Sequence, residues 1–456
     1  MPRILAETAL LPDGWADNVL VELDDIGRIA KVTANVTDAA ARSNVSCLLP
    51  APVNAHSHAF QRAMAGLTEK RGENPTDSFW TWRKLMYRFL DQVTPDQVQA
   101  IAALVQMEML EAGYSTNVEF HYLHHQTDGT PYTKLSEMSD RIAAAAEQSG
   151  IGLTLLPVQY QYGGCDKRDL DAGQRRFGND PDRFARLVAE ARDTLKYLPA
   201  DANLGVAPHS LRAVAPEQLL DAPLVANGGP VHIHIAEQIP EVVEVKEVWG
   251  ARPVEWAVSN LPLDGRWCMI HATQMTPEET MSLAKTGVVA GLCPITESNL
   301  GDGIFDGVRW MDAGGKISIG SDSNILISLA EEQRVLDNSQ RLRNNIRAAL
   351  ATDGVSTGRR IFNGICTGGA QSAGRGGGAI AVGEWADLLS LDASHIDLLG
   401  LRGDTILDSF TVAGDNRMVA DVWSSGRHMV KAGRHVHRQA ITAAYSDAVS
   451  SLRDGL

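Results

Sequence analysis

Several things are scarce in this chain, and each scarcity excludes a class. No apolar run approaches the ~18 residues that a membrane-spanning helix needs, so no bilayer partner is expected. The five cysteines, Cys47, Cys165, Cys268, Cys293 and Cys366, are odd in number, scattered and without a CxxC pair. That usage suits reduced thiols in a cytoplasmic protein and argues against a disulfide framework. Positive charge is short: 41 Lys and Arg stand against 56 Asp and Glu, a formal net charge of −15. Nucleic acid and anionic membrane both want a basic footprint, so neither is an expected partner. An anionic substrate would therefore need locally placed arginines. The phosphate-cradling GxxxxGK[ST] and the nucleophile elbow GxSxG are missing. Gly374 to Ala379 fits the letters of GxGxxA but lacks a strand before it and a helix after it, and reads as a flexible crossing. The first residues, Met1 to Glu7, carry no long apolar core, which again predicts a cytoplasmic protein with idle sequons at Asn35 and Asn44.

What is present is the make-up of a soluble globular enzyme, with 44% hydrophobic and 21% charged residues. The first fifty residues have strand texture, with 18–23 and 28–32 flanking a turn. That texture returns only after about residue 370, so the two chain ends predict one small β-sandwich domain (1–49 plus 371–456). Between them, eight short apolar runs alternate with helical stretches: 48–54, 114–119, 151–158, 203–207, 231–235, 267–271, 287–292 and 317–320. Amphipathic helices are predicted over 95–112, 134–149, 181–197, 277–286 and 329–350. This alternation predicts an α/β fold, a (β/α)8 TIM-like barrel over 50–370, with a doubly wound sheet as the competing arrangement.

A barrel demands that catalytic groups sit at the C-terminal ends of its strands. His56 and His58 follow the first run at i and i+2, a spacing that aims two imidazoles at one ion. His232, His234 and Glu237 mark the fifth run, His271 the sixth, and Ser321-Asp322 the eighth. Three neutral imidazoles and a carboxylate suit Zn2+ or a similar divalent ion, and such an ion lowers the pKa of its water toward ~7. Glu237 is placed beside such an ion to carry a proton to a leaving group. The fourth run ends in Ala207-Pro208-His209-Ser210 and offers no lysine to bridge a second metal, so one metal ion per chain is expected. Alternation along the fifth run does not choose between His232 and His234.

Residues 52–58, His234-Ile235-Ala236-Glu237, His271 and Ser321-Asp322 resemble the mononuclear deaminase branch of the amidohydrolase superfamily. Residues 380–389 and 422–427 are similar to strands of that superfamily's flanking β domain. The branch pattern HxxE matches His234 with Glu237 and leaves His232 as a packed histidine. The resemblance implies that His56, His58, His234 and Asp322 hold the metal. It also implies that Asp322 and His271 orient or deprotonate the water, and that Glu237 protonates the departing nitrogen.

The predicted mouth offers Gln61, Arg83, Tyr122, His209 and Arg212. Guanidinium forks match carboxylates, and two of them suggest a dicarboxylate. Residues 55–62, 79–83, 119–122, 207–212 and 235–238 resemble one subgroup of the branch, the formimidoylglutamate deiminases of histidine degradation. That resemblance implies hydrolysis of N-formimidoyl-L-glutamate to N-formyl-L-glutamate and ammonia. It would place Arg83, Arg212, Tyr122 and His209 on the substrate carboxylates, with Gln61 near the formimidoyl end. A homodimer is expected, with the insertion carrying Trp80 and Trp82 as its interface or as a lid. A purine or pyrimidine deaminase is the alternative, favoured by a mouth lined with stacking aromatics. A silent scaffold protein is the reading from another class, and the full set of ligands and acid/base groups speaks against it. His121, His124 and His125 are expected to be loop imidazoles, and the terminal His435/His437 pair to lie at the surface.

Overall fold

The computed structural model describes residues 2–37, 44–69 and 79–453, without the side chains of 79–84. Eight parallel strands build the central sheet. They are β1 (Val53–Ser57), β2 (Thr116–His121), β3 (Gly152–Gln159), β4 in two pieces (Asn203–Leu204 and Ala207–Pro208), β5 (Val231–Ile235), β6 (Trp267–His271), β7 (Val289–Leu292) and β8 (Lys316–Ile319). Their hydrogen-bonded order is β5-β6-β7-β8-β1-β2-β3-β4. Bridges from Val206 to Val231 and from Ser210 to His234 join β4 back to β5. The alternation is therefore a barrel and not an open doubly wound sheet. Every residue of β1, β2, β3, β5, β6 and β7 is buried, as parallel strands covered on both faces require.

The helices start where the sequence supplies caps. Thr94, Asp180 and Thr276 each accept an amide of the first turn, and each is followed by a proline. The helix expected over 329–350 ends earlier, at Asn344, because Asn345 takes the left-handed conformation with φ 53° and turns the chain away. The run 203–207 is not one strand. Gly205 interrupts it, where an added Cβ would come within 2.2 Å of the Pro230 carbonyl oxygen.

The chain ends meet in one mixed eight-stranded sheet. Its order is Arg434–His435, Arg427–Lys431, Val419–Ser424, Leu388–Leu391, Val45–Pro50, Arg3–Leu11, Gly14–Leu23 and Ile29–Thr33. The run 48–54 thus holds parts of two strands rather than one. Leu48, Leu49 and Pro50 pair with Ser390, Leu389 and Leu388, whereas Val53 and Asn54 pair with Thr116 and Asn117. Pro50 and Pro52, which lack amide protons, mark the crossing. Segment 374–379, expected to be a flexible crossing, is pinned. The buried Arg375 guanidinium lies 3.2 Å from Asp387 and 3.6 Å from Asp201, and Arg427 grips Asp201 at 2.7 Å. His435 is also buried rather than superficial, with Nε2 2.8 Å from the Ser149 carbonyl. Among the described residues, no helix is long and apolar enough to cross a membrane.

Candidate metal centre and active site

Strand tips deliver the polar groups, and unusual backbone aims them. Ala236, His271, Ala272 and Asp322 all follow or end β5, β6 and β8 with positive φ (50°, 67°, 49° and 47°). For residues with a Cβ this conformation costs roughly 1–2 kcal/mol each. Local bonds hold it in place. Asn324 donates to the Asp322 carbonyl at 2.9 Å and to Ser57 Oγ at 3.2 Å. Gly320, at the end of β8, lets that strand press on β1, since an added Cβ would lie 2.6 Å from both His56 N and His56 Cβ.

Three imidazoles converge. His56 Nε2 lies 3.2 Å from His58 Nε2 and 3.1 Å from His234 Nε2. Asp322 Oδ1 stands 3.5 Å from the first and 3.4 Å from the second. The tautomers follow from the other ring nitrogen, because a carbonyl only accepts. His58 Nδ1 donates to the Phe120 carbonyl at 3.0 Å, and His234 Nδ1 donates to the His209 carbonyl at 3.1 Å. Both rings, when neutral, therefore turn an Nε2 lone pair toward His56, which has one Nε2 proton at most to offer them. His56 Nδ1 has no hydrogen-bond partner. Burial and the neighbouring imidazoles keep His56 and His234 well below the usual histidine range, and burial takes His58 down to about 3. Neutral, converging nitrogens beside a carboxylate fit a divalent cation and fit one another poorly without one.

The flanking groups form an acid/base chain. His271 Nε2 lies 3.8 Å from Glu237 Oε1 and 3.9 Å from Asp322 Oδ2, while its Nδ1 meets Glu297 Oε1 at 3.2 Å. Burial opposes a charge on His271, but the carboxylates of Glu237, Glu297 and Asp322 outweigh it and push the pKa up to about 10. Burial also raises Asp322 to about 7, against the pull of His271. Titratable groups with environments this different in one cleft are what proton transfer needs.

A pocket opens over this centre. His58, His234, Asp322, Glu237 and His271 form its floor, and Gln61, Tyr122, His209 and Arg212 stand in its wall. The structure thus brings together every expected site residue except Arg83, whose side chain lies outside the described residues, as do those of Trp80 and Trp82. Gln61 Nε2 donates to Tyr122 Oη at 3.0 Å. The wall also contains rings at Tyr87, Tyr160 and Phe177. These rings pack on one another at steep angles: Tyr122 on Phe177 at 78°, Tyr160 on Phe177 at 56°, Tyr87 on Phe177 at 48°. None of these three pairs is parallel. His232 is a packed histidine, with Nε2 2.8 Å from the Ser372 carbonyl. His124 and His125 bind the carbonyls of Val158 and Gly178.

Sequence reasoning missed Glu297, Asp302, Met86, Tyr160 and Phe177. Glu297 follows β7, and the strand-tip rule applied to that strand would have found it. It fixes His271 and accepts from the Cys293 amide at 2.8 Å. Asp302 accepts from Gln238 Nε2, and burial together with Glu237 raises its carboxyl. Tyr160 directly follows β3, where the same rule would have reached it, whereas Met86 comes from the helix Phe79–Leu90 and Phe177 from the segment after β3, with no spacing signal.

Comparison with known proteins places the chain among hydrolases. The model of the amidohydrolase family matches residues 47–429, and that of the N-terminal domain of the formimidoylglutamate deiminase HutF matches residues 1–43. The chain is 44% identical over 458 residues to a formimidoylglutamate deiminase of Pseudomonas aeruginosa, with all of both chains covered. Its fold is similar to an amidohydrolase from Brucella melitensis (TM-score 0.95, 47% identity, 99% of this chain and 100% of that one). It is also similar to an adenosine deaminase from Xanthomonas campestris with bound zinc (TM-score 0.82, 21% identity, 99% and 98%), a likeness of fold alone.

Proposed function

The chain belongs to the amidohydrolase family, and from that premise we propose that it hydrolyses N-formimidoyl-L-glutamate to N-formyl-L-glutamate and ammonia. It is a formimidoylglutamate-deiminating hydrolase acting on a C–N bond, a step of histidine degradation. One observation carries the reaction class. Three neutral imidazoles and Asp322 converge beneath a pocket whose floor also holds Glu237 and His271. The substrate follows from the full-length kinship to the Pseudomonas deiminase and from Arg212 in the pocket wall.

His56, His58, His234 and Asp322 would hold one divalent ion, Zn2+ by donor type. When bound, such an ion supplies Lewis acidity and a more acidic water. The chain's own groups then act as follows. Arg212, His209 and Tyr122 hold the substrate carboxylates, with Arg83 of the same expected set. Gln61 faces the formimidoyl end. Asp322 and His271 take or orient the proton of the attacking water, with Glu297 fixing the His271 ring. Water adds to the formimidoyl carbon, the bond to the terminal nitrogen breaks, and Glu237 delivers the proton with which ammonia leaves. The aromatic wall excludes bulk water. The cytoplasmic location and the homodimer expected from the sequence belong to the same proposal. The five cysteines are all free and buried, as suits a reducing compartment, and sedimentation velocity reads the subunit number.

The test is ammonia release from N-formimidoyl-L-glutamate by metal-quantified protein, beside guanine, cytosine and S-adenosylhomocysteine. Release from the formimidoyl substrate alone, in proportion to about one metal per chain, is expected. Release only from a nucleobase or nucleoside would overturn the substrate reading and leave the centre in place.

A further inference from the structure

Glu241 is a buried carboxylate that this scheme leaves unused. It stands in the first turn of the helix Ile239–Trp249 and reaches back to the tip of β5. Oε1 accepts from the Ala236 amide at 3.0 Å, and Oε2 accepts from the Glu237 amide at 3.0 Å. Both oxygens are therefore engaged by the peptide that bears the acid. Ala236 has φ 50°, a conformation that L-residues rarely adopt. The turn that swings Glu237 toward the pocket floor is thus held from below by one side chain.

An ordinary helix cap accounts for this poorly. A glutamate at the third helical position caps by accepting the amide of the N-cap residue, here Gln238. Glu241 instead takes the amides one and two residues before it. A second feature sets it apart from a local brace. The guanidinium of Arg212, in the pocket wall, lies within electrostatic reach of the same carboxylate. Arg212 comes from the segment after β4, whereas Glu237 follows β5. One buried carboxylate therefore holds the peptide of the proton-delivering group and feels the charge of an arginine on the carboxylate-binding side.

We propose that Glu241 is a positioning residue that fixes the Glu237 peptide and balances Arg212, so that proton delivery and substrate affinity are set against each other through one side chain. The proposal rests on the hydrolytic reading above. Glu241→Gln keeps one acceptor oxygen but turns an NH2 toward one of two N–H donors, and it removes the negative charge beside Arg212. The acid is misaimed while the arginine is left freer to bind an anion.

The experiment measures kcat and KM for N-formimidoyl-L-glutamate per metal-loaded site in the wild type, E241Q and E241D. In E241Q, kcat is expected to fall roughly a hundredfold, the usual cost of misplacing a reacting group by about an ångström. KM is expected to fall severalfold rather than rise, because the negative charge of Glu241 near Arg212 is removed. E241D keeps the charge and shortens the reach, so kcat falls while KM stays within about twofold of the wild type. A merely structural Glu241 lowers only the folded, metal-loaded fraction. Both constants per loaded site would then match the wild type, and the proposal is overturned. Should E241Q fail to fold, E241D decides: reduced kcat at preserved KM supports the proposal, and an unchanged kcat overturns it. A wild type that releases no ammonia overturns the hydrolytic reading and this proposal with it. An active wild type beside an unaltered E241Q removes this proposal alone.

Discussion

Replacing Arg176 by methionine tests how the pocket wall is held. Arg176 is almost completely buried, yet its hydrogen bonds go to carbonyls rather than to a carboxylate. Nε donates to the His125 carbonyl at 2.8 Å, and Nη1 donates to the carbonyls of Val93, at 3.1 Å, and Leu90. Leu90 ends the helix Phe79–Leu90, whose Met86 and Tyr87 line the pocket, and Phe177, next to Arg176, lines it from the other side. One guanidinium thus ties the segments after β1, β2 and β3 together. Methionine matches the alkyl stem but leaves three acceptors without a donor.

A carbonyl left unsatisfied in the interior costs roughly 1–3 kcal/mol. Two of the three, Leu90 and Val93, lie in the turn between the helices Phe79–Leu90 and Pro95–Glu111, beside the exposed Asp91 and Gln92, and burial of the guanidinium already opposes its charge. The net cost is therefore about 2–4 kcal/mol, concentrated in the wall. Hydrogen–deuterium exchange reads it directly. Amides of 85–93 and 174–179 should exchange about a hundredfold faster, since each 1.4 kcal/mol is roughly tenfold. Glu237, His271, His234 and Asp322 stand on or after β5, β6 and β8, and His56 and His58 stand at the tip of β1 outside the clasped segments, so metal content should hold while KM for the substrate rises about tenfold. Exchange within about twofold of the wild type across both segments, or loss of metal in parallel with the loosening, would refute the clasp.

Glu237→Gln should lower kcat roughly 10²–10⁴-fold, the range for a lost general acid, with metal per chain unchanged by elemental analysis. Gly320→Ala puts a methyl 2.6 Å from His56 N; we expect about 1–3 kcal/mol of overpacking and reduced metal retention during dialysis. His435, lowered by burial, gives a pH signature. Its folded pKa lies below the unfolded ~6.5, so the unfolded chain binds the extra proton first. The contribution is present above pH ~6.5 and is lost as pH falls toward the folded value. In urea titrations, H435Q should therefore show a shallower loss of stability over that interval than the wild type, and parallel curves would exclude the linkage.

Much of the architecture was legible because period and punctuation agreed. β5 and β6 have the predicted bounds, since Val231–Ile235 and Trp267–His271 are short, wholly apolar apart from their histidines, and set off by turns. The first run misled because hydrophobicity is continuous through 48–54 while hydrogen bonding is not. Nothing in an apolar run says which of two sheets it joins, and only the prolines hinted at a break. His435 misled for the opposite reason. A histidine between glycine, arginine and a second histidine has the texture of a surface, and a tertiary contact with Ser149 buries it.

The site divides along the same line. Groups at strand tips were legible because the barrel converts chain order into proximity at one face, so His56, His58, His271 and Asp322 needed only their strands to be recognised, whereas the choice of His234 over His232 needed the family resemblance. Groups in the wall obey it only in part: Tyr122, Tyr160 and His209 directly follow β2, β3 and β4, whereas Met86 and Phe177 do not. Phe177 and Met86 are placed by contacts between the segments after β3 and β1, and Arg176 holds those segments through carbonyls that every residue type possesses. Glu241 lies between the two cases. Its glutamate at the third position of a helix looks like a cap, and only the left-handed Ala236 shows that the carboxylate reaches past the cap to the acid. Backbone conformation was the missing term, because the sequence marks a left-handed turn when it uses glycine and conceals it when it uses alanine. At β5, β6 and β8 the chain uses alanine, histidine and aspartate there. The residues that aim the chemistry are consequently the ones that composition and periodicity describe least.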